Sequence, residues 1–388
     1  MMKKVVVVSA ARTAVGKYGG QWTPISEAQL GAEAIKGAIA RAGIEPAEVE
    51  DILMGNVAGI RGNIARMAGF LAGCPEETTA YNMDRQCGSG SQAIANAAMA
   101  IECGMGDIFV AGGMELMSLT PHQLHRITRA YDPVPPKFVT RYYAPVHMYE
   151  PLVMPQTADK LAKMHGVTRE ECDAFSLQSH QRAAKAIKSG VFKDEIVPVE
   201  IKTKKGSVIV DTDECVRYDA TPESMAKLPV LYAGGVTTAG NSCPRSDGAG
   251  ALVLMSEETA KAKGLEILAY VRGFAAGGCD PTIMGYGPVP ACDKLFKMTG
   301  LTMKDIDLIE LNEAFAGQSI PCIRDLNMDM ERVNPNGGAI ALGHPLGGTG
   351  AVLATKLLYE MKKKDYQWGI VTMCCGGGQG MVVLYERK

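Results

Sequence analysis

The chain carries the same structural pattern twice, once in each half, and this repeat is its most restrictive feature. In the first half, a glycine-rich turn at 87–90 leads into an alanine-rich helical segment and an apolar run, 107–113, that ends in two glycines. In the second half, the turn at 343–348 leads into a helical segment and an apolar run, 369–378, that ends in three glycines. The repeat distance is far too long for a solenoid, so we predict two similar α/β halves that face each other. That arrangement would bring three reactive side chains together: Cys87, His344 and Cys374.

Short apolar runs alternate with helical patterns along most of the chain. The first third predicts, in order, a strand at 4–9, a helix at Glu27–Ala42, a strand at 51–54, a helix at 91–103 and a strand at 108–111. A second strand–helix series begins at 249–255 and runs to the C-terminus. Strands that alternate with helices favour a parallel sheet covered by helices, so the predicted fold class is α/β.

The middle of the chain has a different composition. Residues 121–155 contain seven prolines and many aromatic residues, which predicts an irregular, extended excursion. Residues 169–189 have the pattern of a polar helix. Residues 196–210 have the pattern of a hairpin whose basic tip, 202–205, is solvated.

The charge balance excludes some classes of partner. The 388 residues include 40 Lys and Arg against 42 Asp and Glu, a formal net charge of −2, so binding to nucleic acid or anionic membranes has no electrostatic basis. No stretch approaches the ~20 apolar residues of a membrane span. The 11 cysteines form no CxxC pair, and the N-terminus has no clear signal-peptide cleavage site. We therefore expect free thiols in a reducing cytoplasm and no bound metal.

Cys87 lies between Gln86 and a Gly-Ser-Gly turn, directly before a helical segment. The N-terminus of a helix has a positive dipole end and exposed N–H groups that stabilise a thiolate, so this position suits a nucleophile. The same pattern fits equally well a buried structural cysteine in a strand-to-helix turn.

Three further positions can do chemistry. His344 lies between glycine and proline, which fix its backbone, although a lone histidine also fits a surface or core position. Cys374 ends an apolar strand before the glycines 376–378, whose N–H groups can form an oxyanion site. A phosphate loop fits these glycines less well, because no Lys or Ser/Thr follows in the required spacing. Asn312 follows another apolar strand, where it can orient a water or cap the next helix.

Four segments together resemble the thiolase family over nearly the full length of the chain. They occur in the family's order and approximate spacing: 85–90 (Arg-Gln-Cys-Gly-Ser-Gly), 312–316 (Asn-Glu-Ala-Phe-Ala), 337–345 (Gly-Gly-Ala-Ile-Ala-Leu-Gly-His-Pro) and 374–378 (Cys-Cys-Gly-Gly-Gly). Weaker matches lie at 9–13, 112–115, 238–241 and 284–288. Each segment alone is weak support, but the four together are highly specific.

The resemblance implies a five-layer αβαβα fold built from two βαβαβαββ halves related by a pseudo-twofold axis. The N-terminal half would comprise 1–115 with 247–267, and the C-terminal half 268–388. An inserted loop domain, 116–246, would cover the active site and hold coenzyme A. The resemblance also implies a homodimer or a homotetramer.

The resemblance further implies an acyltransferase reaction, the reversible cleavage of a β-ketoacyl-CoA by coenzyme A through an acyl-cysteine. His344 would take the proton of Cys87, and the thiolate would take up the acyl group, for example by attack on an acyl-CoA thioester, and hold it on sulfur. Cys374 would protonate the departing acetyl-CoA carbanion, or remove its α-proton in the synthetic direction. One oxyanion hole would use His344 and a water held by Asn312, and the other the N–H groups of Cys87 and Gly376. Coenzyme A would be a substrate, with no permanently bound cofactor and no metal.

The substrate-binding residues depart further from the family pattern. By the same resemblance, coenzyme A and the acyl group would contact seven residues: Arg217, Ser224, Met225, Cys243, Met154, Met284 and Phe315. Many short-chain members have His-Met-Gly where this chain has Val-Met-Pro at 153–155, and serine and glycine where it has Cys-Pro at 243–244. The more apolar pocket predicts a β-ketoacyl-CoA bulkier than acetoacetyl-CoA, in fatty acid or aromatic acid metabolism. Alternatively, the loop at 121–155 is a contact with another subunit or a partner protein.

Other functions stay open at this point. A biosynthetic thiolase that forms acetoacetyl-CoA would use the same catalytic residues. A decarboxylating ketoacyl synthase pairs one cysteine with two histidines, or with His and Asn, and Cys374 argues against it. A Cys–His hydrolase would have no use for the glycine loop that follows Cys374. A non-catalytic subunit of a larger complex would have no need for the reactive residues Cys87, Asn312, His344 and Cys374.

Overall fold

The computed structural model describes residues 3–59, 62–125, 138–139, 144–203 and 206–387. Its strands are β1 (Val5–Arg12), β2 (Gly16–Lys17), β3 (Asp51–Gly55), β4 (Thr79–Met83), β5 (Ile108–Leu116), β6 (Val199–Thr203), β7 (Gly206–Val210), β8 (Ser246–Ser256), β9 (Ala269–Gly278), β10 (Leu308–Leu311), β11 (Trp368–Cys375) and β12 (Gln379–Glu386). Its helices are α1 (Glu27–Ala42), α2 (Ile64–Leu71), α3 (Ser89–Glu102), α4 (Met154–Met164), α5 (Arg169–Lys188), α6 (Pro222–Ala226), α7 (Glu257–Ala262), α8 (Pro288–Thr299), α9 (Ala316–Asp325), α10 (Ala339–Leu342) and α11 (Thr349–Lys364). Part of the predicted excursion at 121–155 and residues 204–205 of the hairpin tip lie outside the described residues.

The strands form two half-sheets with the same strand order. The N-terminal half-sheet has the order β4-β3-β5-β8-β1, and the C-terminal one has the order β10-β11-β12-β9. Val333 pairs with Ile309 of β10 in a single parallel bridge, at the place that β4 takes beside β3. The half-sheets meet edge to edge where β1 pairs with β9. This shared order is that of two related α/β halves, as the repeat in the sequence predicts.

Each half-sheet is mixed, whereas the alternation of strands and helices predicts a parallel sheet. Strand β3 is parallel to β4 and β5, and β10 is parallel to β11. The pairs β5–β8 and β11–β12 are antiparallel. The physical reason is clearest for β11 and β12, because the short glycine turn between them is compatible only with antiparallel pairing.

Helices lie on both faces of each half-sheet. Helices α3 and α11 pack together between the half-sheets. In β12, Met381, Val383 and Tyr385 face this inner layer, whereas Val382 and Leu384 face the outer helices α8 and α9. Helices α1 and α2 cover the outer face of the N-terminal half-sheet. The layers therefore give the predicted five-layer αβαβα fold.

The chain between β5 and β8 forms α4, α5, the predicted β6–β7 hairpin and α6. Helix α4 packs on α9, and α5 packs on α9 and on α10, which ends two residues before His344. This segment therefore borders the second glycine turn. Within the described residues, no helix is long and apolar enough to cross a lipid bilayer.

Candidate active site

Cys87 stands at a sharp turn between β4 and α3. Gln86 has a φ of 51°, in the left-handed region that is uncommon for a residue with a side chain. Gly88 is the N-cap of α3, and the Ser89 hydroxyl donates to the Gln86 carbonyl at 2.6 Å. The turn holds the half-buried Cys87 thiol at the N-terminus of this helix.

Burial dominates the acidity of Cys87. Loss of hydration raises its pKa to about 12, although the nearby backbone N–H groups of Gly376 and of Cys87 itself lower the pKa. The N–H groups at this turn favour the thiolate, but their effect on the pKa is smaller than that of the surrounding protein, which removes water from the sulfur. Cys87 therefore keeps its proton at neutral pH and needs a base to remove it.

His344 is a buried histidine in the second glycine turn. Its backbone N–H donates to Ser246 Oγ at 2.6 Å. Its ring nitrogen Nδ1 lies 2.6 Å from Thr349 Oγ1, and its Nε2 lies 3.4 Å from Nδ2 of Asn312. Burial lowers the pKa of His344 to about 4. The ring is therefore neutral at pH 7 and can accept a proton.

The two glycine turns pack directly against each other. A Cβ on Gly90, in the first turn of α3, would lie 2.8 Å from the carbonyl oxygen of Gly347, and a Cβ on Gly113 would overlap the same oxygen. Side chains at these positions would push the two halves apart, so glycine is required here for the close approach. The turns of Cys87 and His344 therefore meet, as the repeat predicts.

Strand β11 places its two terminal cysteines on opposite faces. Cys374 joins Met284, Phe315 and the half-buried Met154 in a small apolar cluster, whereas Cys375 faces the inner helix layer. Burial and, after it, the nearby Cys87 raise the pKa of Cys374 well above its usual range. Cys374 is therefore a protonated thiol close to Cys87.

The glycines after Cys375 turn the chain from β11 into β12. Gly377 and Gly378 have φ values of 86° and 78°, which favour glycine. This turn brings the Gly376 N–H near the Cys87 sulfur, beside the N–H of Cys87 itself. Two converging backbone donors of this kind are suited to binding an oxyanion.

Asn312 is fully buried just after β10. Its backbone N–H donates to the Thr372 carbonyl at 3.0 Å, and its Nδ2 faces His344. Its Oδ1 has no hydrogen-bond partner among the described residues. The alternative role as a helix cap is wrong, because Phe315 is the N-cap of α9.

Four of the seven predicted binding residues lie around the thiols: Met154, Met284, Phe315 and Cys243. The first three share one apolar cluster with Cys374. Cys243 is half-buried, and burial followed by the nearby Cys87 raises its pKa far above its usual range. These side chains form a mainly apolar wall beside the reactive sulfurs.

The other three predicted binding residues lie in or near α6. Ser224 Oγ accepts from the Thr221 N–H at 2.9 Å and donates to the Thr221 carbonyl at 2.9 Å, so its hydroxyl serves the helix cap. Met225 is buried. Arg217 is exposed, and its guanidinium donates to the Ala239 carbonyl at 3.4 Å. The Arg217 charge therefore lies at the surface, where an anionic group can reach it.

Comparisons with known proteins agree with this geometry. The family model described as Thiolase, N-terminal domain matches residues 5–258, and the one described as Thiolase, C-terminal domain matches residues 265–387. The chain belongs to the thiolase family. It is 45% identical to an acetyl-CoA acetyltransferase of Syntrophomonas wolfei, with 100% of both chains covered. It is 44% identical to a 3-ketoacyl-CoA thiolase of Bacillus subtilis, over 99% of this chain and 100% of the relative.

Solved thiolase structures have the same fold. The structure of human mitochondrial 3-ketoacyl-CoA thiolase in complex with CoA is 38% identical, with a TM-score of 0.93 over 100% of this chain and 98% of that chain. The Bacillus anthracis acetyl-CoA acetyltransferase is also 38% identical, with a TM-score of 0.94 over 99% of both chains. This thiolase-family chain is therefore an acyltransferase enzyme whose relatives act on CoA thioesters. The comparisons confirm the resemblance to thiolases that the four sequence motifs indicate.

Three further polar residues, which no pattern in the sequence marked as functional, hold the turn of His344. Ser246 and Thr349 contact His344 itself. The buried Glu115 carboxylate accepts from the Gly347 N–H at 2.9 Å, and burial raises its pKa to about 8. Glu115 falls in one of the weaker motif matches and Thr349 follows His344 by five residues, whereas Ser246 has no signal in the sequence. In the part of the chain that the structure describes, no group of three or more His, Cys, Asp or Glu could hold a metal ion.

Proposed function

We propose that this chain is a thiolase that cleaves a β-ketoacyl-CoA with coenzyme A, reversibly, through an acyl group on Cys87. The observation that carries the proposal is that three reactive residues lie where the two halves meet. Cys87 is a protonated thiol, His344 is neutral, and Cys374 is a second protonated thiol. Coenzyme A is a substrate in this proposal, and no permanent cofactor takes part.

In the cleavage direction, Cys87 Sγ attacks the β-carbonyl carbon while His344 takes the thiol proton. The N–H groups of Cys87 and Gly376 stabilise the resulting oxyanion. The bond between the α- and β-carbons then breaks, its electron pair stays with the acetyl-CoA fragment, and Cys374 protonates that carbanion. His344 and a water held by Asn312 stabilise the thioester oxygen of this fragment.

The second half of the reaction restores both thiols. Cys374 regains its proton from coenzyme A, whose thiolate attacks the acyl group on Cys87. The shortened acyl-CoA leaves, and Cys87 regains its proton from His344. In the synthetic direction the same steps run backwards, with Cys374 as the base that removes the α-proton of acetyl-CoA.

Two assays separate this proposal from the alternatives. A thiolase should consume a β-ketoacyl-CoA only when coenzyme A is present, whereas a Cys–His hydrolase would consume it without coenzyme A. A decarboxylating ketoacyl synthase would release carbon dioxide from malonyl-CoA. A non-catalytic subunit would do none of these.

For the substrate, we propose a β-ketoacyl-CoA bulkier than acetoacetyl-CoA, with a branched or aromatic acyl group. The support is the apolar wall of Met154, Met284 and Phe315, with Val153 beside it as the N-cap of α4. Each methylene buried in such a wall adds roughly 0.8 kcal/mol of binding. A panel of β-ketoacyl-CoA thioesters graded by size should give the highest kcat/KM for a larger member. If acetoacetyl-CoA is the best substrate, the larger-pocket proposal is wrong and acetoacetyl-CoA formation is favoured.

For coenzyme A, we propose that the inserted segment 116–246 is a loop domain that binds the nucleotide end. Arg217 would contact the phosphate-bearing end and Ser224 the adenine, with Met225 behind them. Cys243 would lie along the pantetheine arm. The support is the exposed guanidinium of Arg217 and the position of Cys243 near Cys87. The halves 1–115 with 247–267, and 268–388, would carry the catalytic residues.

For assembly and location, we propose a homodimer or homotetramer in the cytoplasm. Strand β4 lies at the end of the N-terminal half-sheet and carries the exposed side chain of Tyr81, which favours pairing with a second copy. All 11 cysteines are free, which favours a reducing compartment. The loop at 121–155 is a candidate contact for another subunit or a partner protein.

A further inference from the structure

Thr349 is the first residue of α11 and is 1% exposed. Its Oγ1 lies 2.6 Å from His344 Nδ1, and its hydroxyl donates to the Pro345 carbonyl at 3.0 Å. A threonine hydroxyl has one hydrogen to donate and lone pairs to accept. With its hydrogen on the Pro345 carbonyl, Thr349 accepts a hydrogen bond from Nδ1–H of His344.

The other side of the ring agrees with this assignment. An imidazole that carries its hydrogen on Nδ1 presents a lone pair at Nε2. The Nδ2 amide donor of Asn312 lies 3.4 Å from Nε2. The opposite tautomer would set an Nε2–H against this amide donor, so two donors would face each other.

We propose that Thr349 is a positioning residue that keeps His344 in the Nδ1–H tautomer, so that Nε2 is free to take the proton of Cys87. This inference rests on the proposed role of His344 as the base. When Nε2 accepts the proton, the ring becomes a cation, and its hydrogen bond from Nδ1 to Thr349 becomes charge-assisted. Thr349 thus favours the step in which Cys87 loses its proton, without touching the substrate.

The chain offers a matched control in the same helix. Thr355 is also fully buried in α11, and its hydroxyl donates to the Ala351 carbonyl at 2.8 Å, four residues back, as that of Thr349 does to Pro345. No described contact joins Thr355 to His344. Thr349→Val and Thr355→Val therefore remove the same kind of buried hydroxyl from the same helix, and only the first removes the partner of Nδ1.

The test measures how fast Cys87 is acylated when each variant is mixed with an acyl-CoA, by rapid quenching and mass spectrometry. Loss of the residue that orients a metal-bound histidine typically costs about 10- to 100-fold in activity, and we use the same range for His344. We expect Thr349→Val to slow acylation by about that factor with little change in KM, and Thr349→Ser and Thr355→Val to stay within a few-fold of the native rate. Equal rates for Thr349→Val and the native chain, or an equal loss in Thr355→Val, would overturn the inference.

Two further readouts keep the inference testable on its own. If the native chain itself acquires no acyl group on Cys87, the proposed function is wrong. Failure of the inference about Thr349 looks different, because it appears only when the variants are compared with an active native chain. If Thr349→Val does not fold, the histidine nitrogen resonances of the native protein decide the tautomer, and the chain has only six histidines. A His344 signal with the hydrogen on Nδ1 at pH 7 is expected, and a signal with the hydrogen on Nε2 would overturn the inference.

Discussion

Cys374 and Cys375 are adjacent in β11, yet the structure predicts opposite consequences for removing each thiol. Cys374 lies in the apolar cluster near Cys87, and Cys375 is buried in the core between the half-sheets. Cys374→Ala removes the proposed acid/base, which should slow carbon–carbon bond breaking by ~10²- to 10⁴-fold. That loss corresponds to about 3–5 kcal/mol of barrier, at about 1.4 kcal/mol per tenfold. Acylation of Cys87 by an acyl-CoA should continue in this variant, because His344 still takes the Cys87 proton and coenzyme A can leave as a thiolate without a proton from Cys374.

Cys375→Ala should lower stability and leave turnover largely intact. Removing one buried heavy atom from a packed core costs about 1 kcal/mol in the free energy of unfolding, as the removal of a methylene does. Urea unfolding of both variants, with thiolysis and with acylation of Cys87 measured separately, gives the comparison. If Cys375→Ala abolishes carbon–carbon cleavage while Cys374→Ala retains it, the assignment of the acid/base is off by one residue.

Two further predictions concern coenzyme A and pH. Arg217→Ala should raise the KM for coenzyme A more than it lowers kcat, because a contact far from the reacting atoms contributes mainly uniform binding; an unchanged KM would remove Arg217 from the site. Folding lowers the pKa of His344 from 6.5 to about 4, so the unfolded chain binds more protons and stability falls as pH drops from about 6.5 towards 4. Between pH 7 and about pH 5, the native chain should lose about 2 kcal/mol more of unfolding free energy than His344→Asn does. Equal losses in the two proteins would mean that His344 is not held neutral by burial.

Helix α1 illustrates what the sequence alone can predict. The pattern predicts Glu27–Ala42, and the structure has the same bounds because both ends are determined locally. Ser26 caps the first turn by accepting from the Gln29 N–H, and Gly43 ends the helix with a φ of 67°. Both signals lie next to the helix in the sequence.

Strand β1 illustrates what the sequence could not predict. The pattern predicts a strand at 4–9, but β1 continues to Arg12, whose guanidinium is fully buried. Its charge is balanced by Glu195 and Asp213, which lie 183 and 201 residues further along the chain. A charged residue after an apolar run predicts the end of a buried strand, unless the distant residues that balance its charge are known.

The active site also has features that the sequence predicts and features that it does not. Cys87, His344 and Cys374 follow from short motifs, because glycine turns and strand ends are local features. The protonation state of Cys87 does not follow, because it depends on how deeply the folded chain buries the sulfur. Thr349 acts on His344 through a side-chain hydrogen bond that forms only in the folded chain, so the five-residue spacing between them could not predict its role.

The site of acylation tests the proposed role of Cys87 as the nucleophile. The native chain is mixed briefly with an acyl-CoA, quenched in acid and digested, and its cysteine peptides are weighed by mass spectrometry. We expect one acyl group, on the peptide that contains Cys87, and its release as acyl-CoA when coenzyme A is added before the quench. A stable acyl group on Cys374 or Cys375 with Cys87 unmodified, or an acyl group on Cys87 that water removes as fast as coenzyme A does, would contradict that role.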